Sequence, residues 1–414
     1  MSQETTHIPK LRFPEFEDDW ATERLGDFYT FKNGVNAEKE AYGSGIKFVN
    51  VMDIVSDSPL RYDKIIGEVE ISESEFKKNE VIYGDILFQR SSETREEVGQ
   101  SNVYIDKTQK ATFGGFVIRG RATQKQKHLF MHYLLKTQKV RKDMTARSGG
   151  STRYNVGQES LSKVIIKTTN DECEQQKIAS FLTVTDKKIE LLQRKKDQLT
   201  AYKKGMMQKL FSQEIRFKDE DGKDFPEWEE KKLGDVAKFK KGKRISKNDI
   251  SENGSTQCIR YGELYTDYRE VIATVISSTN VNPDDLILSK GNEVIIPASG
   301  ETALDIATAS CVMNKGVALG GDLNIINTQE NGVFLAYYLN SAQKICIARL
   351  AQGISVIHLY SSQLATLKIK LPDKAEQQKI ANYLTALDQK IELVNRKLIQ
   401  AQSFKKGLLQ QMFI

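Results

Sequence analysis

Along residues 174–211, stepping by alternating four and three residues gives Ile178, Leu182, Thr185, Ile189, Leu192, Lys196, Leu199, Lys203, Met206 and Leu210. The same stepping from Ile380 gives Leu384, Leu387, Ile391, Val394, Leu398, Ala401, Lys405, Leu408 and Met412. Seven of ten positions are apolar in the first stretch and nine of ten in the second, which is a coiled-coil period rather than a general amphipathic one. Each stretch therefore predicts one long helix, and 38 residues at 1.5 Å each make a rod of roughly 57 Å. A lone apolar seam would be left in water, so each rod needs a partner, and the other copy is at hand. Asp171 and Glu174, like Asp373 and Glu376, stand three apart as a capping box requires, and Pro372 stops helix just upstream.

The two stretches are copies, at an offset of 202. Glu174 to Ala179 matches Glu376 to Ala381 without a change, and identities continue on faces that the seam does not use. Upstream, Trp20, Leu25-Gly26-Asp27 and Phe31-Lys32-Asn33-Gly34 align with Trp228, Leu233-Gly234-Asp235 and Phe239-Lys240-Lys241-Gly242 at an offset of 208. Gly84 to Phe88 parallels Gly291 to Ile295, a tyrosine-containing helical stretch at 128–139 parallels 333–344, and short strands at 164–166 and 367–369 close each unit. A period this long is a tandem duplication of a two-part unit rather than a solenoid.

Short β segments (47–51, 81–88, 113–118; 257–261, 293–296, 316–319) lie between Gly, Asn and Ser turns with one or two helices per unit. The fold class is α+β, with two globular domains alternating with two long helices that pair as an antiparallel coiled coil, related by an internal pseudo-twofold repeat. The expected boundaries are 1–170 and 214–372 for the globular domains, and 171–213 and 373–414 for the helices, with a charged, turn-rich entry at 215–228.

The net charge of +6 suggests nucleic acid until it is located. Residues 171–213 hold nine Lys/Arg against six Asp/Glu and 373–414 hold seven against four, so the helices account for all of it. DNA attraction by the neutral globular parts must then come from local patches. No apolar run reaches the ~18 residues needed to cross a bilayer, and the start lacks a signal peptide's regions, so the expected place is the cytoplasm. The four cysteines are scattered, which suggests neither a disulfide framework nor a zinc site.

Catalytic patterns are missing. There is no phosphate-cradling Gly-rich loop ending in Lys-Ser/Thr and no strand–GxGxxG–helix unit. His128 and His132 stand four apart as metal ligands could, but without a carboxylate between them and with Val333 expected opposite His128 they read as a helix surface. No catalytic residue and no metal ligand is assigned.

The two EQQKIA…IEL helices, the Trp…Leu-Gly-Asp opening of each preceding domain and their alternation along the whole chain resemble the specificity (DNA-recognition) subunit of type I restriction–modification enzymes. The resemblance implies a non-catalytic subunit whose two target recognition domains each read half of a bipartite double-stranded DNA site, with the helices setting the spacer. It also implies two methyltransferase subunits for adenine N6 methylation and two restriction subunits. S-adenosylmethionine, ATP and Mg2+ would sit on those partners and not on this chain. The alternatives are a specificity subunit of a methylation-only complex, or a stand-alone coiled-coil DNA-binding regulator or scaffold.

Within that frame, Arg and Gln can make two-pronged contacts with guanine and adenine, while Lys mostly holds phosphate. The DNA-binding candidates in the first domain are Lys32, Gln89, Arg90, Ser91, Ser92, Arg95, Arg121, Arg147, Arg153 and Tyr154. In the second they are Lys240, Lys241, Lys243, Arg244, Tyr261, Ser299, Arg349, Ser355 and His358. Repeated charges without an evident seam role, Asp186, Glu190, Arg194, Lys203, Asp388, Glu392, Arg396 and Lys405, are the candidates for contacting the methyltransferase subunits.

Overall fold

The structure, a computed structural model, describes residues 8–414. The two periodic stretches are single helices, Glu172–Phe211 and Lys374–Gln411. Two compact units result: the residues up to Gln193 together with Arg396–Ile414, and Arg194–Asn395. Each unit therefore combines one globular domain, the first half of the helix that follows it, and one half of the other helix.

In the second unit the helix halves run antiparallel, with Lys196 Nζ 2.8 Å from Asn395 Oδ1 and Lys203 Nζ 2.8 Å from Asp388. In the first unit Lys405 Nζ lies 2.5 Å from Asp186. Ile380, Leu384, Leu387, Ile391, Val394, Leu398, Ala401, Leu408 and Met412 are all buried, as the seam demands.

The expected capping box is only half formed. Asp171 Oδ1 accepts from the backbone N–H groups of Cys173 and Glu174, and Asp373 Oδ1 from that of Ala375. The glutamates turn inward instead. Glu174 accepts from Trp20 Nε1 at 3.3 Å and pairs two-pronged with Arg12 at 2.7 and 2.9 Å. Glu376 does the same with Trp228 Nε1 at 3.1 Å and Arg216 at 3.2 and 2.8 Å. Each carboxylate is 1% exposed, so its charge is tolerable only because the guanidinium and indole meet it. This fixes each tryptophan, and with it the domain opening, onto its own helix.

The domains repeat one sheet plan. In the first, strands Tyr29–Asn33, Val117–Ala122, Ile86–Gln89 and Ser101–Val103 form an antiparallel sheet in that order. In the second, Ala237–Lys241, Leu323–Thr328, Glu293–Pro297 and Ser310–Val312 do so, with Val271–Ile272 added at the edge. Ala21–Arg24 pairs with Ile165–Thr168, and Glu229–Lys232 with Lys368–Leu371, closing each domain beside its helix.

Helices His128–Leu135 and Gly332–Ser341 back the sheets. Their register differs from expectation by one residue. The backbone N–H of Lys127 donates to Gln175 Oε1 and that of Asn331 to Gln377 Oε1, so Gly332, not Val333, stands opposite His128. Nor do the histidines lie on a helix surface. His132 is completely buried, and the His128 ring packs edge-on against Tyr83 at 5.2 Å.

The repeat also places Tyr133 and Tyr337 alike. Tyr133 Oη donates to Asp186 at 2.7 Å and Tyr337 Oη to Asp388 at 2.5 Å, while Lys405 and Lys203 lie over the two rings at 5.8 and 4.9 Å. Asp186, Lys203, Asp388 and Lys405 thus do have seam roles, which corrects the premise on which they were assigned to an outside partner. Glu190, Arg194, Glu392 and Arg396 remain on the exposed face.

Candidate nucleic-acid interface

Several candidates in the first domain converge. Strand Ser91–Ser92 pairs with Tyr154–Asn155, and Ser91 Oγ donates to Asn155 Oδ1 at 2.5 Å. Arg90 donates from its backbone N–H to Phe116 O at 2.8 Å and from Nη1 to Gly115 O at 3.2 Å. Arg95 Nε reaches Thr145 O at 3.2 Å, Arg147 pairs with Asp143 at 3.0 Å, and Arg153 is exposed in the loop between them and Tyr154. Arg90, Ser91, Arg95, Arg147 and Arg153 therefore share one loop cluster.

Other first-domain candidates have internal roles. Gln89 and Ser92 are buried, with Ser92 Oγ donating to Glu97 at 2.9 Å. Arg121 is held by Asp85 through contacts of 3.0 and 2.8 Å, which raises its pKa. Lys32 donates to Lys78 O, and burial, followed by neighbouring Arg119, lowers its pKa. Arg121 is thus a framework cation, not a free DNA contact.

In the second domain, Ser299 pairs with His358, and Gln352 closes on His358 through two backbone hydrogen bonds of 2.9 and 2.7 Å. This is the counterpart of the Ser91–Asn155 pair. Ser355 and Arg349 are exposed beside it. Lys240 and Lys241 are exposed on the sheet's edge strand, followed by exposed Lys243 and Arg244.

The strongest feature is a cleft of about 1010 Å³ at the end of this segment, walled by Arg244, Lys247, Arg260, Tyr261, Tyr265 and Asp322. Arg244 and Ile245 have φ of 52° and 60°, a left-handed backbone that costs a β-branched residue most. Burial of Ile245 against Cys258, Leu286 and Ala318, and the 2.7 Å hydrogen bond from Gly321 N–H to Arg244 O, hold it there. The guanidinium is presented outward, 58% exposed, with Asp285 at 3.3 Å as its ion-pair partner among the described residues. Arg260 is steadied by Glu263 at 2.9 Å. Such a cleft offers planar cations and aromatic faces suited to base edges. Arg244 and Tyr261 were legible in the sequence; Lys247, Tyr265 and Asp322 were not, because their loops carry no period.

The first domain has a cleft at the corresponding place. Hydrogen bonds Val35 N–H to Phe113 O, Gly114 N–H to Val49 O and Arg90 N–H to Phe116 O match Lys243 N–H to Leu319 O, Gly320 N–H to Ile259 O and Ala298 N–H to Asp322 O. Asn36, Asn50, Met52 and Phe116 therefore occupy the places of Arg244, Arg260, Gly262 and Asp322. This cleft holds about 430 Å³ and is largely apolar.

Two segments of the sequence, residues 17–201 and 226–403, match the type I restriction modification DNA specificity domain. The chain belongs to this family. It is a type I specificity subunit, the non-catalytic, DNA-recognising component that acts with other subunits of a restriction–modification system.

Among relatives of the specificity subunit is a Methanocaldococcus jannaschii protein named for the type I restriction enzyme MjaX specificity subunit, 25% identical, covering 97% of this chain and 95% of the relative. The MjaVIII specificity subunit of the same organism is 24% identical, over 96% and 92%. The solved type I restriction–modification specificity subunit from M. genitalium shares the fold at a TM-score of 0.63, with 18% identity over 98% of this chain and 99% of that one. A second solved chain, from work on complex assembly and conformational transition of the type I system, matches at 0.56, with 14% identity over 95% and 97%. No helix among the described residues is long and apolar enough to cross a membrane.

Proposed function

We propose that each globular domain reads one half of a split duplex DNA site, and that the paired helices set the unread spacing between the halves. The observation carrying this is the duplicated scaffold whose corresponding clefts differ in chemistry: one is lined by charges of both signs, Arg244, Lys247 and Arg260 beside Asp249, Glu263, Asp267 and Asp322, and the other is largely apolar. Identical scaffolds give similar docking geometry, and unlike walls give different base preferences. The first long helix has 40 residues, about 60 Å at 1.5 Å per residue, which exceeds one DNA turn of about 34 Å.

Two methyltransferase subunits dock on this chain, bring S-adenosylmethionine and methylate adenine N6; two restriction subunits bring ATP and Mg2+. The exposed Glu190, Arg194, Glu392 and Arg396 are the helix residues suited to that docking, each pair recurring once per repeat so that two copies of one partner meet similar surfaces.

Mapping methylated adenines across the host chromosome, with and without the gene for this chain, tests the reading. The expected result is a two-part motif with a fixed gap that vanishes on deletion, and a native pull-down that retrieves a methyltransferase. A continuous motif, or methylation indifferent to the deletion, would contradict it.

A further inference from the structure

The apolar cleft of the first domain carries two of the more exposed large hydrophobic side chains of the described chain, Met52 at 79% and Phe116 at 60%. Exposed apolar groups gathered in one concavity usually mark a contact surface. The cleft is also built rigidly. Phe116 stands on the connection between strands Thr112–Phe113 and Val117–Ala122, fixed by the bonds to Arg90 and by Val117 N–H to Gly114 O at 2.9 Å. Two glycines form its floor: a side chain at Gly114 would come within 2.7 Å of the Phe48 ring, and one at Gly115 would collide with the Asn36 carboxamide.

Its occupant is constrained by what surrounds it. Arg90 lies at the rim with Nη1 on Gly115 O, and the Arg95, Arg147 and Arg153 loops adjoin through Ser91–Asn155 and the Val156 N–H to Arg90 O bond. An apolar cleft with Arg90 at its rim, beside loops that set Arg95 and Arg153 outward among Glu93, Glu96 and Glu97, suits a polyanion bearing an apolar group that those arginines can meet. It does not suit a purely greasy protein face. In duplex DNA the major-groove edge offers one such group, the thymine 5-methyl, paired with an adenine whose N6 and N7 match a carboxamide. Asn36 supplies that carboxamide, at the place where the second domain puts Arg244.

We propose that this cleft reads one A·T base pair of the first half-site, with Asn36 on the adenine edge and Phe116 and Met52 against the thymine methyl. This rests on the reading that the globular domains recognise DNA, and it names the base pair and the residues.

The test uses the full chain expressed with its methyltransferase partner in the host. Methylated-adenine maps are collected for wild type, Asn36→Ala and Phe116→Ala, followed by binding of duplexes carrying the wild-type motif with single thymines replaced by deoxyuridine. Asn36→Ala should weaken discrimination about tenfold at one A·T position of one half-site, with the other half and the gap unchanged. Wild type should lose affinity several-fold when that one thymine lacks its methyl, and Phe116→Ala should be indifferent to the loss. Both side chains are exposed, and matching melting temperatures confirm folded variants.

Unchanged motifs in both variants would overturn the assignment, as would loss of the co-purifying methyltransferase with an intact motif, which would make the cleft a protein contact. A wild-type map with no split motif would instead defeat the broader DNA-reading proposal.

Discussion

The two clefts occupy the same place in a repeated fold and are lined differently, one by charges of both signs and one by apolar groups. Where the second domain sets Arg244, Arg260 and Asp322, the first sets Asn36, Asn50 and Phe116. Three backbone hydrogen bonds beneath them are matched, as are the Trp–Glu–Arg sites and the Tyr–Asp–Lys sites on the helices. Duplication has preserved what fixes the frame and released what faces outward. Specificity can therefore change without refolding, because no reading residue in either cleft supports the seam.

The largest expected effect concerns the shared frame. Glu376→Ala leaves half-buried Arg216 and buried Trp228 without their common acceptor, and should lower stability by about 3 kcal/mol. Glu174→Ala should do the same in the first half through Arg12 and Trp20. Thermal or denaturant unfolding checks both, and a large loss in only one half would break the equivalence.

Next comes the unlike part. Arg244→Ala should cost roughly 1–3 kcal/mol of binding and relax one position in one half-site; uniform weakening on all sequences would make Arg244 a phosphate contact and remove it from the comparison.

The smallest effect is acid sensitivity confined to one half. His132 is fully buried, and burial, with Lys136 and Lys405 adding to it, holds its pKa well below the ordinary 6.5. Both ring nitrogens lack hydrogen-bond partners among the described residues, and Ala336 takes its place in the second domain. The native state holds the ring neutral while the unfolded chain protonates below about 6.5, so this contribution to stability is present above that pH and is lost as pH drops below it. His132→Leu should flatten that slope; an unchanged slope would assign it to other groups.

The sequence announced the frame more clearly than the readers, for physical reasons. Seam positions keep their apolar period even though six of the ten differ between the copies, because coiled-coil packing asks for apolar side chains at that spacing rather than for particular ones, so the helices and their pairing were legible, as were the Trp–Leu-Gly-Asp openings. The capping-box spacing misled, because Glu174 and Glu376 satisfy it while being drawn inward by Arg12 and Arg216. The repeated Arg12-Phe13 and Arg216-Phe217 dipeptides were the overlooked signal. Asp186 and Asp388 read as outward charges because they fall off the seam period, and Lys203 and Lys405 because they are charged, although the period places both on the seam. Asn36 aligns with Arg244 at the same offset of 208 as Gly34 with Gly242 and escaped because a lone asparagine carries no pattern, whereas Phe116 aligns with Asp322 at 206, across loops of unequal length that the hydrogen-bond register resolves.

The central claim is that one paired-helix frame fixes the gap between two unlike readers. Four residues inserted into each long helix, at matching seam positions, would lengthen each by about 6 Å, between one and two base-pair steps. Adenine-methylation maps of the host carrying this variant should show both half-sites unchanged and the gap longer by one or two base pairs. An unaltered gap, or new half-site sequences, would contradict the account.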